Sequence, residues 1–228
     1  MLASQTVENY LKAILQAQRE FGAAPEGSDA RLVPMGQLAA ALGVVPGTAT
    51  TMVKTLAESG LVRYEPYMGV RLTPAGERLA ALVLRRHRLI EQFLVQVLGM
   101  NWSEVHDEAE RLEHAVSERL IDRIDEMLGR PAVDPHGDPI PGREGELQQH
   151  SYVDLLSCRL GAPLLVTRVT DQDAKFLRFI EERQLKPGQR IAIVTRDPAS
   201  DSVTVRSETG QETTIGARAA SKVLVVEI

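Results

Sequence analysis

Met35-Gly-Gln-Leu-Ala-Ala-Ala-Leu42, Gly43-Val-Val-Pro46 and Gly47-Thr-Ala-Thr-Thr-Met-Val-Lys54 running on to Ser59 read as helix, turn and helix. Gly60 supplies the stop that a helix C-terminus favours. Together they form a helix-turn-helix pattern. Leu61-Val-Arg-Tyr-Glu-Pro-Tyr-Met-Gly-Val-Arg-Leu-Thr73 then gives two short strands about a turn at Pro66 to Gly69, the hairpin of a wing. The second helix opens Pro46-Gly47 and places Thr48, Thr50, Thr51 and Lys54 in its first turns. Small donors and a cation there suit phosphates and base edges in a major groove, and Arg71 on the hairpin suits a backbone phosphate. The plainer alternative is that these threonines only cap the helix and the unit only packs.

Upstream, Val7 to Arg19 is an amphipathic helix with Tyr10, Leu11, Ile14, Leu15 and Ala17 on its apolar side, and Gly22 to Ala30 is a loop by composition. Downstream, Ala75 to Leu98 is helical, carrying a basic run Arg85-Arg-His-Arg88 and an apolar side of Leu82, Leu89, Ile90, Phe93, Leu94 and Val97; Gly99 ends it. Ser103 suits the N-cap of a further helix that runs to Leu128, with a break recapped at Ser117, before Gly129-Arg-Pro131 stops it. Wide apolar faces on two helices outside a small winged core imply a homodimer.

Six residues of these helices have metal-binding chemistry. At about 100° per residue, His106, Glu110, Glu113 and His114 share roughly a quarter-turn of one helix, and His87 with Glu91 share a face by the i, i+4 rule. Val105, Ala109, Leu112, Val116 and Leu120 form an apolar stripe beside them, so the ligands flank a packed seam. Nitrogen and oxygen donors without thiolate favour manganese or iron(II) over copper, with zinc also able to bind. The competing reading is a solvated acidic helix face. A metallohydrolase is disfavoured because no His-Glu-x-x-His helix, phosphate loop or nucleophile elbow appears. A winged-helix regulator that responds to a non-metal ligand is the other alternative, and no organic cofactor is expected.

The chain has 228 residues and is 43% hydrophobic, which fits a soluble globular protein of one or two cores. It shows no membrane-length apolar run and no signal-peptide pattern at its start, so a cytoplasmic location is expected. The single cysteine, Cys158, excludes an intrachain disulfide. Formal charge is −5, but residues 1 to 76 carry six basic against six acidic residues, whereas residues 77 to 130 carry eight against eleven. Bound cations would offset that acidic excess.

Asp134-Pro-His-Gly-Asp-Pro-Ile-Pro-Gly-Arg-Glu-Gly145 reads as a linker, with His136 exposed. Beyond it lie β-rich runs beginning at Pro163, Arg190, Ser202, Glu212 and Lys222, with a helix from Ala174 to Gln184, which suggests a small closed barrel. The fold expected is mainly α with a C-terminal β-barrel. Residues 1–76 form a winged helix-turn-helix, 77–130 a helical dimerisation and metal-binding domain, 131–150 a linker, and 151–228 a five-stranded Src-homology-like barrel.

The helix-turn-helix, Arg86-His87-Arg-Leu-Ile-Glu91, Val105 to His114 and Asp138-Pro-Ile-Pro-Gly142 resemble the diphtheria toxin repressor family of metal-dependent regulators over nearly the whole chain. The resemblance implies a non-enzymatic dimeric repressor that binds palindromic operator DNA when loaded with Mn2+ or Fe2+ and controls metal-uptake genes. It implies one site from Glu110, Glu113, His114 and a first-helix residue, and a second from His87, Glu91 and His106, to which Asp171 or Asp173 of the barrel adds a carboxylate. The barrel itself is similar to ferrous-iron transport accessory domains. Glu110 stands where iron-dependent members have cysteine, which favours a harder ion. Asn9, a neutral ligand, stands where the first helix usually supplies Met or Asp, and Lys12 stands where some manganese regulators place a carboxylate.

Overall fold

In the computed structural model, residues 4–20, 32–146 and 151–228 are described. The loop expected over Gly22 to Ala30 lies outside them. The chain divides into two compact units, Met1–Arg86 with Pro141–Leu147, and His87–Ile140 with Gln148–Ile228.

The first unit begins with α1 (Gln5–Glu20), then α2 (Met35–Ala41) and α3 (Pro46–Glu58), followed by strands β1 (Val62–Glu65) and β2 (Gly69–Leu72). Gly43 (φ 63°) and Gly60 (φ 73°) take the left-handed conformation that ends α2 and α3. Pro46 occupies the first turn of α3, where its missing N–H costs nothing. The wing is an antiparallel pair with Val62 opposite Leu72 and Glu65 opposite Gly69. Gly69 is obligatory in this hairpin, because a Cβ there would meet the Val33 carbonyl oxygen at 2.5 Å. Tyr10, Leu11, Ile14, Leu38, Val53, Leu56, Val70 and Leu84 make the core of this unit, each large side chain contributing about 1.5–3 kcal/mol on burial.

Helix α4 (Pro74–Gln96) carries the boundary between the units, which falls between Arg86 and His87. Gly99 (φ 68°) terminates that helical run. The helical run after Ser103 breaks where expected, giving α5 (Val105–Leu112) and α6 (Glu118–Met127) with Ser117 as the N-cap of the second. Ser103 does not cap α5, whose N-cap is Glu104 without a side-chain bond, whereas the Ser117 hydroxyl accepts from the Leu120 N–H at 3.3 Å. The break changes the apolar stripe: Val105 and Ala109 are buried, but Leu112 and Leu120 are exposed.

The barrel domain contains β3 (Val153–Asp154), β4 (Pro163–Val169), α7 (Ala174–Glu182), β5 (Arg190–Asp197), β6 (Ser202–Ser207), β7 (Glu212–Gly216), α8 (Ala217–Ala220) and β8 (Val223–Glu227). Its sheet order is β3-β8-β4-β5-β6-β7, so the two-residue β3 extends the five expected strands, and no β3–β7 pairing closes the ring among the described residues. Bulges between Val166 and Arg168 and between Ile193 and Thr195 curve it. Leu164, Val166, Ile191, Ile193, Val203, Val205, Val223 and Val225 point inward onto Leu177, Ile180 and Trp102. Among the described residues no helix is long and apolar enough to cross a membrane.

Gly76 packs against the wing: a Cβ on it would lie 2.0 Å from the Leu61 carbonyl oxygen. The Gly76→Ala variant is expected to lose roughly 1–3 kcal/mol of stability through overpacking, read as a lower urea midpoint. An unchanged midpoint would show that the α4 entry can shift freely.

Candidate metal centre

One turn of α4 projects His87 and Glu91 inward, and α5 with its following turn brings His106, Glu110, Glu113 and His114 to them. His87 is the hub. Its Nδ1 lies 2.6 Å from Glu113 Oε2 and its Nε2 3.0 Å from Glu91 Oε1. The same Nε2 lies 3.2 Å from His106 Nδ1, which is 3.3 Å from Glu91 Oε1. Glu110 Oε1 lies 3.8 Å from His87 Nδ1 and 3.9 Å from His106 Nε2. His114 Nε2 lies 3.2 Å from Glu113 Oε1. Donor atoms of His87, His106 and Glu110 come within 4.8 Å of one another, the spacing of a shared cation. The side chains of Glu91 and Glu113 are fully buried, while His106 and Glu110 are 37% and 36% exposed. The cluster therefore has a dry wall and an open mouth.

The structure groups these six differently from the expected two sets. Glu110, assigned to one set, lies with His87 and His106 of the other, and His87 touches both Glu91 and Glu113. Glu91 turns its second oxygen toward residues that spacing did not single out: Glu91, Asp134 and His136 form another buried three-donor group within 4.8 Å. His136 is fully buried rather than exposed. The cause is a turn that periodicity does not reveal. Asp134 Oδ1 accepts the His136 and Asp138 N–H groups at 2.8 and 2.9 Å, folding Asp134-Pro-His-Gly-Asp138 on itself. Gly137 (φ 85°) fits against β4, where a Cβ would meet the Thr167 carbonyl oxygen at 1.9 Å. His136 Nε2 is 2.9 Å from the Trp102 carbonyl oxygen, and its ring stacks on Trp102. The crowded Asp, His and Asp within five residues was the only signal available from sequence.

Glu91 Oε2, Asp134 Oδ2 and His136 Nδ1 are buried and have no hydrogen-bond partner among the described residues. Unsatisfied donor-set atoms that converge in this way fit a divalent cation. Burial opposes ionisation of Glu91, yet His87, His106 and His136 together hold its carboxyl well below the usual range. Asp134 is raised to about 6, first by burial and then by the charge of Asp138. Burial pulls His136 down, but the Asp134 carboxylate, 3.8 Å from its Nδ1, and the charge of Glu91 prevail and raise it to about 9.

Asp171 and Asp173 are not brought into either group. Asp171 pairs with Lys222, and Asp173 caps α7 by accepting the Lys175 and Phe176 N–H groups at 3.0 Å. Asn9 Oδ1, on α1, is buried without a hydrogen-bond partner among the described residues. On α3, Pro46, Gly47, Thr48, Thr51 and Lys54 are exposed and Thr50 is half-buried, as is Arg71 on β2. The Thr50 and Thr51 hydroxyls bond back to the Pro46 and Gly47 carbonyls at 2.8 and 3.0 Å.

A winged helix-turn-helix joined to helices that gather three imidazoles and three carboxylates defines a metal-binding regulator of transcription. Residues 2–70 match the iron-dependent repressor N-terminal DNA-binding domain, 73–142 the iron-dependent repressor metal-binding and dimerisation domain, and 153–227 the FeoA domain. The iron-dependent repressor IdeR of Mycobacterium tuberculosis is 30% identical over 202 residues, 83% of this chain and 84% of that protein. The HTH-type transcriptional regulator MntR of Lysinibacillus sphaericus is 34% identical over 117 residues, 51% of this chain and 82% of that protein. A solved manganese-dependent transcriptional repressor in complex with manganese superposes with a TM-score of 0.84 at 40% identity, over 97% of this chain and 100% of that one. The chain belongs to the diphtheria toxin repressor family of iron- and manganese-dependent transcriptional repressors, whose members bind DNA and dimerise and are not enzymes.

Because its folded pKa is above the ordinary 6.5, His136 contributes stability that is fully present below about pH 6.5 and is lost as pH rises through about 9. Asp134 also titrates upward, but its contribution is already gone above about 6. Thermal unfolding in chelator should therefore show stability falling between pH 7 and 9, by roughly 3 kcal/mol at most. His136→Gln should flatten that slope, and an identical slope in the variant would dissociate it from His136.

Proposed function

We propose that this protein is a manganese-responsive, dimeric repressor that reads a palindromic operator in the cytoplasm and controls metal-uptake genes. The observation that carries the choice of ion is the donor set. Three imidazoles and three carboxylates meet without thiolate, and the one cysteine, Cys158, is buried in the barrel core. Such a set favours Mn2+, with Fe2+ next.

A bound divalent cation supplies the positive charge that lets buried carboxylates from separate helices share one centre. His87, His106 and His114 ligate only through a deprotonated nitrogen, so protons compete with the cation and affinity should fall in acid. Asn9, with its unpartnered amide oxygen, is the first-helix donor in this reading, joined to Glu110, Glu113 and His114. The second site is His87, Glu91 and His106, supplemented by Asp134 and His136, and Asp171 or Asp173 would join only by leaving its present partner. Pro46, Gly47, Thr48, Thr50, Thr51, Lys54 and Arg71 meet the DNA, the threonines keeping an acceptor lone pair and a methyl for base edges. Exposed Val97, Leu98, Leu112, Leu120 and Met127 on the helical part support a self-complementary dimer face. In this reading residues 1–76 bind DNA, 77–130 bind metal and pair, 131–150 connect, and 151–228 brace the metal helices.

The test is fluorescence anisotropy on an operator duplex in chelator, then with Mn2+, anaerobic Fe2+ and Zn2+. Mn2+ should tighten binding by about tenfold or more, and Glu113→Gln should abolish most of that gain while remaining folded. Superimposable curves with chelator and Mn2+ would sink the proposal, and a stronger response to Fe2+ would reassign the ion.

A further inference from the structure

The first two turns of α1 hold few apolar anchors. Buried apolar residues of this helix begin at Tyr10, whereas Ser4, Gln5 and Thr6 are exposed and Val7 is half-buried. Yet Glu8 is only 4% exposed. Its carboxylate Oε1 lies 2.7 Å from Arg86 Nη2 on α4, and both side chains are 5% exposed. Glu8 immediately precedes Asn9, and Arg86 immediately precedes His87.

A buried ion pair is costly to assemble, but removing one partner strands the other charge away from water, so the pair resists separation. The start of α1 is thus fastened to α4 by a contact that needs no metal. We infer that Glu8 and Arg86 are positioning residues that hold the first turns of α1, and with them Asn9, in the DNA-competent place before metal arrives. The inference rests on the metal-switch reading above and adds where part of the ordering free energy comes from. A first helix already fastened leaves less for metal to order, so this pair narrows the gap between metal-free and metal-loaded affinity. Asn9, a weak neutral donor, need not do the fastening alone.

The experiment is anisotropy with full-length protein on a duplex selected from random sequences by the Mn2+-loaded wild type, run in chelator and in saturating Mn2+. Glu8→Gln is expected to weaken binding by about tenfold in chelator but by no more than about threefold with Mn2+, widening the metal response. Arg86→Lys, which keeps the charge, should stay near wild type in chelator. Glu8→Asp, which keeps the charge but shortens its reach, covers the case in which Glu8→Gln does not fold, and should show the same ordering at smaller size. Equal losses in both conditions would mean that the pair serves only the fold, and no loss in either would mean that it holds nothing; both overturn the inference. Wild-type curves indifferent to chelator would instead remove the metal-switch reading.

Discussion

Four consecutive cationic or imidazole side chains, Arg85 to Arg88, are buried in one turn of α4. Successive helical residues are about 100° apart, so four of them radiate around most of the helix circumference. No single partner can satisfy them, and burying charge unpaired is prohibitive. Each therefore requires its own neighbour. Arg85 donates to the Pro141 carbonyl at 2.8 Å, Arg86 meets Glu8, His87 meets Glu91 and Glu113, and Arg88 lies 3.7 Å from Asp134 and 3.5 Å from Asp138. Within the first unit this requirement sets Glu8 of α1 against Arg86, and within the second it sets Glu113 against His87 and the Asp134–Asp138 turn against Arg88.

Arg88 also explains why the segment expected to be a plain linker is an internal structural element. Its partner Asp138 is shared with Arg168 of β4 at 2.5 Å and with the Gln172 amide at 3.0 Å. The Val169 N–H adds a bond to the His136 carbonyl at 2.9 Å. The barrel strand, the turn and α4 are thus locked through one buried carboxylate. That lock carries His136 to Glu91, so the barrel holds the turn that lines this cluster, while its own Asp171 pairs with Lys222 and Asp173 caps α7.

What could be read from sequence was what local periodicity encodes. The helix-turn-helix, the wing and the glycine stops follow from local pattern and stand on the elements expected; of the six donors, His87, Glu91, His106 and Glu110 lie on α4 and α5, whereas Glu113 and His114 fall in the turn after α5. The tertiary features were not legible. Ser117 marks where the helical run restarts, but nothing in Val105 to Leu128 places the end of α5 at Leu112 with Glu113 turned in to His87. His136 sits between prolines in a polar segment, and only the Asp134 turn and the Trp102 face make burial possible there. Conversely, Asp171 looked available because its salt bridge to Lys222 spans fifty-one positions.

The same electrostatics account for how one cluster can serve as a switch. Glu91 and Glu113 have no access to water, so their charge must be balanced from within the protein. Protonated imidazole can supply that balance, since His87 places one nitrogen on each carboxylate. A divalent cation can supply it too, and carries twice the charge to more donors. The two solutions compete for the same oxygen and nitrogen atoms, so metal binding must release protons. They also differ in reach. Imidazole bonds bind donors pairwise, through His87 above all, whereas a cation must draw three or more into one coordination shell and so requires α4 and α5 to hold a single spacing. In the proposed switch, packing then matters as much as ligands: whatever fixes the turn of α4 around His87 sets how much of the cation's binding free energy is spent on ordering the cluster itself.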